Sequence, residues 1–154
     1  MVLSCHYEQN LSVFFVFSDQ FLKAHLPLEG DENVYKGEFI VTRGDFIPVA
    51  SDSAGLSFVQ TQKSKFYQLK LDQIFSSSHV SESYLFNEVL LLEGLGPNGV
   101  KVHFNVHMNP KDQNITSNHI YKILREQIEL KDPSKSFLAE IEIDSSSLQV
   151  EGKK

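Results

Sequence analysis

Strict alternation of apolar and polar residues along nine positions is the feature that most constrains the fold of this chain. From Val100 to Met108 every second residue is apolar, and Lys101, His103, Asn105 and His107 lie between the apolar residues. A period of two predicts a β-strand with one buried face and one wet face. Such a strand needs partner strands beside it and a second layer above its apolar face.

Partner strands are predicted on both sides of this segment in the sequence. Asn98-Gly99 directly precedes it and favours a tight antiparallel hairpin, because these two residue types tolerate the positive φ of a type I′ turn. The apolar run from Phe86 to Leu92 is the expected partner in that hairpin. Alternation also predicts a first strand from Val34 to Thr42 and a fourth from Phe137 to Ile143.

Two helices are predicted where apolar residues recur three and four positions apart. The expected buried face of the first comprises Phe58, Val59, Gln62, Phe66, Leu69, Gln73 and Ile74, and its opposite face carries Lys63, Lys65, Lys70 and Asp72. The second is expected to begin at Ser117 as its cap, to end at Asp132-Pro133, and to bury Ile120, Ile123, Leu124, Gln127 and Ile128.

The resulting order, strand-helix-strand-strand-helix-strand, predicts an α+β fold of the ferredoxin-like βαββαβ type, a four-stranded antiparallel sheet with both helices on one face. We expect the domain to span residues 34–150, preceded by an arm or linker (1–33) and followed by a tail (151–154). The expected core cluster is Phe39, Phe66, Leu69, Val102, Phe104, Ile120, Leu124 and Ile141.

Charge and cysteine content narrow the class of protein. The formal net charge is −6, from 14 basic and 20 acidic residues, which argues against nucleic-acid binding. Cys5 is the sole cysteine, so no intramolecular disulfide is possible, and taken alone this favours the cytosol. The longest apolar run, Val13 to Phe17, is far shorter than the roughly 20 residues of a membrane span. Residues 1–17 also lack the basic start of a signal peptide.

Ferredoxin-like sheets host RNA-binding domains, acyl-phosphate hydrolases and interaction modules, so the side chains must decide the function. An RNA-recognition sheet needs aromatic residues on its open face, and the third strand offers only Phe104, on the apolar side. His103 and His107 are about 13 Å apart along a strand, too far to share a metal, and we expect two solvated histidines.

No other metal, cofactor or catalytic pattern is predicted. The remaining metal-ligand types are scattered as Cys5, His6, His25, His79 and His119. The chain has no Gly-x-Ser-x-Gly elbow, no glycine-rich phosphate loop and no paired carboxylates that would indicate acid–base catalysis. We therefore expect a protein without enzymatic activity.

Three short motifs remain as candidates. Asn10-Leu11-Ser12 and Asn114-Ile115-Thr116 fit the N-glycosylation acceptor pattern, although one such match is expected by chance in this composition. Asn114 is the better acceptor because it lies in a predicted loop. Arg43-Gly44-Asp45 is the tripeptide that integrins bind in exposed loops, and the alternative is a simple turn at Gly44.

Several segments together resemble a SEA domain, the extracellular module of membrane mucins and membrane-anchored serine proteases, over Tyr35 to Val150. They are Gly37-Glu38-Phe39-Ile40-Val41-Thr42, Leu71-Asp72-Gln73-Ile74-Phe75 with Ser77, Ser78 and Tyr84, Val89, and Val100-Lys101-Val102-His103-Phe104. The resemblance is greatest to the stem domains of enteropeptidase and matriptase-type proteases.

The resemblance implies a glycosylated domain outside the cell near a membrane, a structural or interaction spacer in a tethered parent protein, with other extracellular domains or glycans as partners. In self-cleaving SEA domains the serine of a Gly-Ser pair between strands two and three attacks the preceding carbonyl. The matching positions here are Asn98 and Gly99, so the nucleophile is absent and no self-cleavage is expected. The alternative function is a cytosolic ferredoxin-like protein that binds nucleic acid or hydrolyses a small acyl phosphate.

Overall fold

The structure is a computed structural model that describes residues 32–45 and 53–152, except the side chains of 53–59. Its elements are β1 (Asn33–Arg43), α1 (Ser53–Ser76), β2 (Tyr84–Gly94), β3 (Val100–Met108), α2 (Ser117–Glu129) and β4 (Glu142–Gly152), with a 3-10 turn at Gly96–Asn98. The sheet order is β2-β3-β1-β4 and every neighbouring pair is antiparallel. This is the expected α+β ferredoxin-like fold.

The central strands β1 and β3 bury the faces that their alternation predicts. Every apolar residue of β3 is almost fully buried, and Tyr35, Phe39 and Val41 of β1 lie on the same side of the sheet. Ile120 and Leu124 of α2 join them in a single core, together with residues of α1. Both helices therefore cover one face of the sheet, and within the described residues no helix covers the other face, which is called the open face below.

Gly37 and Phe104 are opposite each other in the β1–β3 register, and the Phe104 ring occupies the space where a side chain at position 37 would lie. A β-carbon built on Gly37 would be 2.2 Å from the ring carbon Cζ. The ring is only 1% exposed and also contacts Phe39, with ring centroids 5.6 Å apart. Glycine at 37 thus allows a large aromatic side chain to lie flat on the sheet in the centre of the core.

The buried face of α1 differs from the predicted one. Tyr67, Leu71 and Phe75 are buried together with Ile74, whereas Phe66 is half-buried and Leu69 is 56% exposed. Apolar residues surround most of this helix, so residues three and four apart can be grouped into more than one stripe. The prediction for Leu69 as a core residue was wrong, and Phe58 and Val59 lie outside the described side chains.

The fourth strand also begins later than predicted. Phe137, Ala139 and Ile141 lie in turns before β4, and Leu138 rather than its neighbours is buried there. The alternation from 137 to 143 resembled a strand, whereas the true strand contains Ser145-Ser146-Ser147, which interrupts the apolar pattern. Glu151 and Gly152, expected in a tail, belong to β4.

The serine run forms a wide bulge inside β4. Glu38 pairs with Gln149 and Ile40 with Asp144, so the single residue between them in β1 lies opposite four residues of β4. Ser147 Oγ accepts the Ile40 N–H at 2.8 Å, which replaces a backbone acceptor of the ladder. Asp144 Oδ1 accepts both the N–H and the hydroxyl of Ser146, at 3.0 and 2.7 Å. A serine hydroxyl and a carboxylate thus accept hydrogen bonds from two backbone N–H groups at the bulge.

The beginning of β1 and the end of β4 lie side by side. Tyr35 pairs with Gly152 in the antiparallel ladder. The chain therefore enters and leaves this domain at the same end of the sheet.

Candidate functional sites

The loop between β2 and β3 contains the position that the SEA resemblance assigns to the cleavage nucleophile. The antiparallel pairing is as expected, but the connection is not a two-residue type I′ turn. Gly96–Asn98 form a 3-10 turn, and the Leu95 N–H donates to Gly99 O at 2.8 Å to close the loop. Among the described residues only glycines have positive φ, so Asn98 does not adopt the turn conformation predicted for it.

Gly99 lies against the end of β1. Its φ is +102°, and a β-carbon at this position would be 1.9 Å from the carbonyl oxygen of Val41. That distance is far inside van der Waals contact, and the obstacle is backbone rather than a movable side chain. Position 99 therefore excludes every side chain, including the serine that self-cleavage would require.

Arg43-Gly44-Asp45 lies where β1 ends, and its two charged residues have opposite environments. The Arg43 side chain is 85% exposed and its Nε is 3.4 Å from a Glu142 carboxylate. The Asp45 side chain is only 7% exposed, and its carboxylate is bound by the Lys63 amine and the Tyr67 hydroxyl of α1. A receptor that binds this tripeptide needs both charges, and here the carboxylate is already occupied.

Burial raises the pKa of the Tyr67 hydroxyl and lowers the pKa of the Lys63 amine. Tyr67 therefore remains a hydrogen-bond donor to Asp45 at neutral pH. The sequence placed Lys63 on the solvent face of α1, and Asp45 instead holds it between α1 and the end of β1. No residue pattern marks this pairing, because the partners are brought together only by the packing of α1 on the sheet.

Replacement of Asp45 with asparagine should lower the free energy of unfolding by about 1 to 2 kcal/mol, because Tyr67 and Lys63 lose a charged acceptor. The effect is moderate because Lys63 is partly exposed and regains water. Urea unfolding followed by circular dichroism measures it. Arg43→Ala at the other end of the motif is the matched control, and we expect no measurable change. Equal effects of the two variants would contradict this account of the motif.

The open face of the sheet carries a ladder of charges centred on His103. Its Nδ1 is 3.2 Å from Glu38 of β1 and its Nε2 is 3.4 Å from Glu93 of β2. Lys101 Nζ lies 2.8 Å from the other oxygen of Glu38, and this hydrogen bond raises the pKa of Lys101. The outward residues of β1 and β3 include no Phe, Tyr or Trp side chain, so these strands lack the large aromatic stacking platform of an RNA-recognition sheet.

His107 is not the solvated histidine that the sequence predicted. It is buried, its ring stacks on Phe86 with centroids 4.1 Å apart, and its Nε2 is 2.9 Å from Glu88. Phe86 and Glu88 belong to β2, the edge strand beside β3. The alternation correctly placed His107 on the outer face of β3. It did not predict that Phe86 and Glu88 of β2 would contact the ring there.

The predicted acceptor Asn114 is exposed in the loop between β3 and α2. The loop ends at Thr116, which precedes α2 and caps it one residue before the expected Ser117. The Thr116 N–H donates to His119 Nδ1 at 3.1 Å, and the Thr116 hydroxyl lies 2.9 Å from the same nitrogen. The other candidate acceptor, Asn10, lies outside the described residues.

In residues 32–45 and 53–152, no group of three or more His, Cys, Asp or Glu side chains is arranged to hold a metal ion. No described helix has the length and apolar character needed to cross a membrane.

No protein-family model matches this chain, and a search of curated proteins gives no significant match.

Proposed function

We propose that this chain is a non-cleaving SEA-like module of a membrane-associated extracellular protein, with a structural or interaction role and without enzymatic turnover. The proposal is supported by the βαββαβ order in the segment that resembles the family and by the loop between β2 and β3. The observation that carries it is the contact of Gly99 with Val41. By the resemblance, this loop corresponds to the family's cleavage site, and the crowding at position 99 leaves no room there for a side chain that could act as a nucleophile.

The adjacent ends of β1 and β4 determine how such a module acts in a stem. Because Tyr35 and Gly152 are paired, the preceding and following chain segments leave the domain next to each other. The module adds little to the end-to-end length of a tethered chain and projects sideways from it. The domain therefore adds volume and accessible surface beside the stem rather than length along it. This arrangement suits an interaction module better than an extended spacer.

The open sheet face carries paired charges beside the exposed apolar side chains of Leu90 and Leu91 in β2. On the open sheet face the carboxylates of Glu38, Glu88 and Glu93 are matched by Lys101, His103 and His107. The charged part of this face suits polar partners, including neighbouring extracellular domains and glycans, since few of its charges would be buried without a partner.

Localisation of the natural gene product tests the proposal. An epitope tag inserted at Pro133, in an exposed turn between α2 and β4, is stained on intact cells and again after permeabilisation. We expect staining of intact cells, because the module faces the outside. A tag on the cytoplasmic side of a known membrane protein serves as the control for leakage. Staining that requires permeabilisation and fills the cytosol would contradict the extracellular role.

A further inference from the structure

A polar pocket of about 260 Å³ lies beside Asn114. Its wall includes two imidazole rings, His79 and His119, packed edge to face with centroids 6.2 Å apart. Buried Val80 supplies an apolar part of the lining, and Glu82 and Asp112 supply carboxylates. The pocket is smaller than the roughly 300 Å³ at which sites for drug-sized ligands begin, and it has room for one small polar ring.

The loop that carries Asn114 is held rigidly at the rim of this pocket. The Asn114 N–H donates to Asp112 Oδ1 at 3.2 Å, and Ser83 Oγ donates to Asp112 Oδ2 at 2.6 Å. The next residue, Ile115, is buried, and its carbonyl accepts the Tyr35 hydroxyl at 2.6 Å. Hydrogen bonds thus anchor the backbone around Asn114, and its exposed side chain starts from that anchored backbone.

We propose that Asn114 carries an N-linked glycan whose first N-acetylglucosamine lies in this pocket. This inference rests on the extracellular location in the proposed function. In the secretory pathway the donor is an oligosaccharide linked to a lipid pyrophosphate. The Asn114 Nδ2 forms a bond to the anomeric carbon and loses one proton. The bond from that carbon to the pyrophosphate oxygen breaks, and the lipid pyrophosphate leaves with the electron pair.

The lining matches the chemistry of an N-acetylated sugar. The hydroxyl groups find acceptors in the carboxylates of Glu82 and Asp112. The apolar side of the sugar ring and its acetyl methyl group can pack against the His79 ring and Val80. A sugar in this position joins the turn after α1 to the loop before α2. The first sugar, rather than the outer glycan, therefore stabilises the domain.

The test uses the full chain with Asn10→Gln, which leaves Asn114 as the acceptor under test, behind an added secretion signal in a host that makes high-mannose glycans. One sample is trimmed with an endoglycosidase that leaves a single N-acetylglucosamine, and another is treated with an amidase that removes the whole glycan and converts Asn114 to Asp. We expect a glycan mass on the Asn114 peptide. We also expect equal melting temperatures for the intact and trimmed forms, and a melting temperature lower by about 3 °C or more for the amidase-treated form.

Three variants separate the pocket from the general effect of a glycan. Asn114→Asp, made without glycan, controls for the charge that the amidase creates. His79→Ala changes an exposed lining residue and should retain the glycan but lose the difference in melting temperature. Asn114→Gln/Ser134→Asn moves the acceptor to an exposed turn, where Lys135 and Ser136 complete the acceptor pattern. Removal of the whole glycan from that turn should leave the melting temperature unchanged.

The inference is overturned if Asn114 is unmodified while the acceptor introduced at position 134 is glycosylated. It is equally overturned if the trimmed and amidase-treated forms have the same melting temperature. The same holds if this difference in melting temperature persists in His79→Ala. Because the added signal bypasses natural export, these outcomes are independent of the localisation experiment. A stabilising sugar on a chain that is cytosolic in its natural cells would contradict the proposed function and the natural occurrence of the glycan, and only the fit of the sugar to the pocket would remain.

Discussion

Replacing Phe104 with alanine should lower the free energy of unfolding by about 3 to 5 kcal/mol, the range for removing a fully buried aromatic ring. The ring is 1% exposed and lies between Gly37 of β1 and Phe39. Because glycine opposite it has no side chain to move inward, the cavity left by the ring cannot be filled locally. Urea unfolding of the wild type and the variant, with equal slopes, measures the difference.

Leu69→Ala is the matched control for this experiment, since it also truncates a large apolar side chain. Leu69 is 56% exposed on α1, and we expect a change of no more than about 0.5 kcal/mol. A loss below about 1 kcal/mol for Phe104→Ala would mean that the faces of β3 are reversed. A large loss for Leu69→Ala would restore the helix face predicted from the sequence.

Gly99→Ser should destabilise the domain by about 3 kcal/mol or more, because crowding and an unfavourable backbone conformation each carry a cost. The variant places a β-carbon against the Val41 carbonyl and forces a non-glycine residue to positive φ. Thermal and urea unfolding measure the change. Asn98→Ser is the matched control, because it places the same side chain at the neighbouring exposed position, where φ is not positive. We expect a change within about 0.5 kcal/mol for the control.

The same loop predicts how the chain behaves on a denaturing gel. Wild-type protein without a glycan should remain one band near 17.5 kDa after folding and prolonged incubation. Asn98→Gly/Gly99→Ser restores the residue types of the family's cleavage site, yet we expect at most slow cleavage, because the hydroxyl has no room unless β1 moves. Rapid appearance of two fragments that meet near residue 98 in this variant would show that Val41 does not block the site.

Hydrophobic periodicity predicted the buried face correctly where the apolar residues of an element form one clear stripe. In β3, polar and apolar residues alternate without exception, and the inward face followed directly. In α1, apolar residues surround the helix, so the choice between Leu69 and Leu71 depended on which side met the sheet. Around β4, the regular alternation at 137–143 predicted a strand in that segment. The true strand gave a weaker pattern because serines interrupt its alternation. Ser147 has a role at the bulge because it accepts the Ile40 N–H, and this contact forms only when β1 pairs with β4.

The sequence by itself determined the order of elements, the central strands, their buried faces and the absence of a hydroxyl at position 99, because these depend on neighbours within a few residues. Only the tertiary structure decided the environment of three candidate positions. The Asp45 carboxylate is occupied by α1, position 99 is closed by the Val41 carbonyl, and Asn114 stands at the rim of a pocket between the turn after α1 and the start of α2. Each of these contacts joins residues that are far apart in the chain. A local pattern contains no information about such contacts, since they are set by how the helices and strands pack.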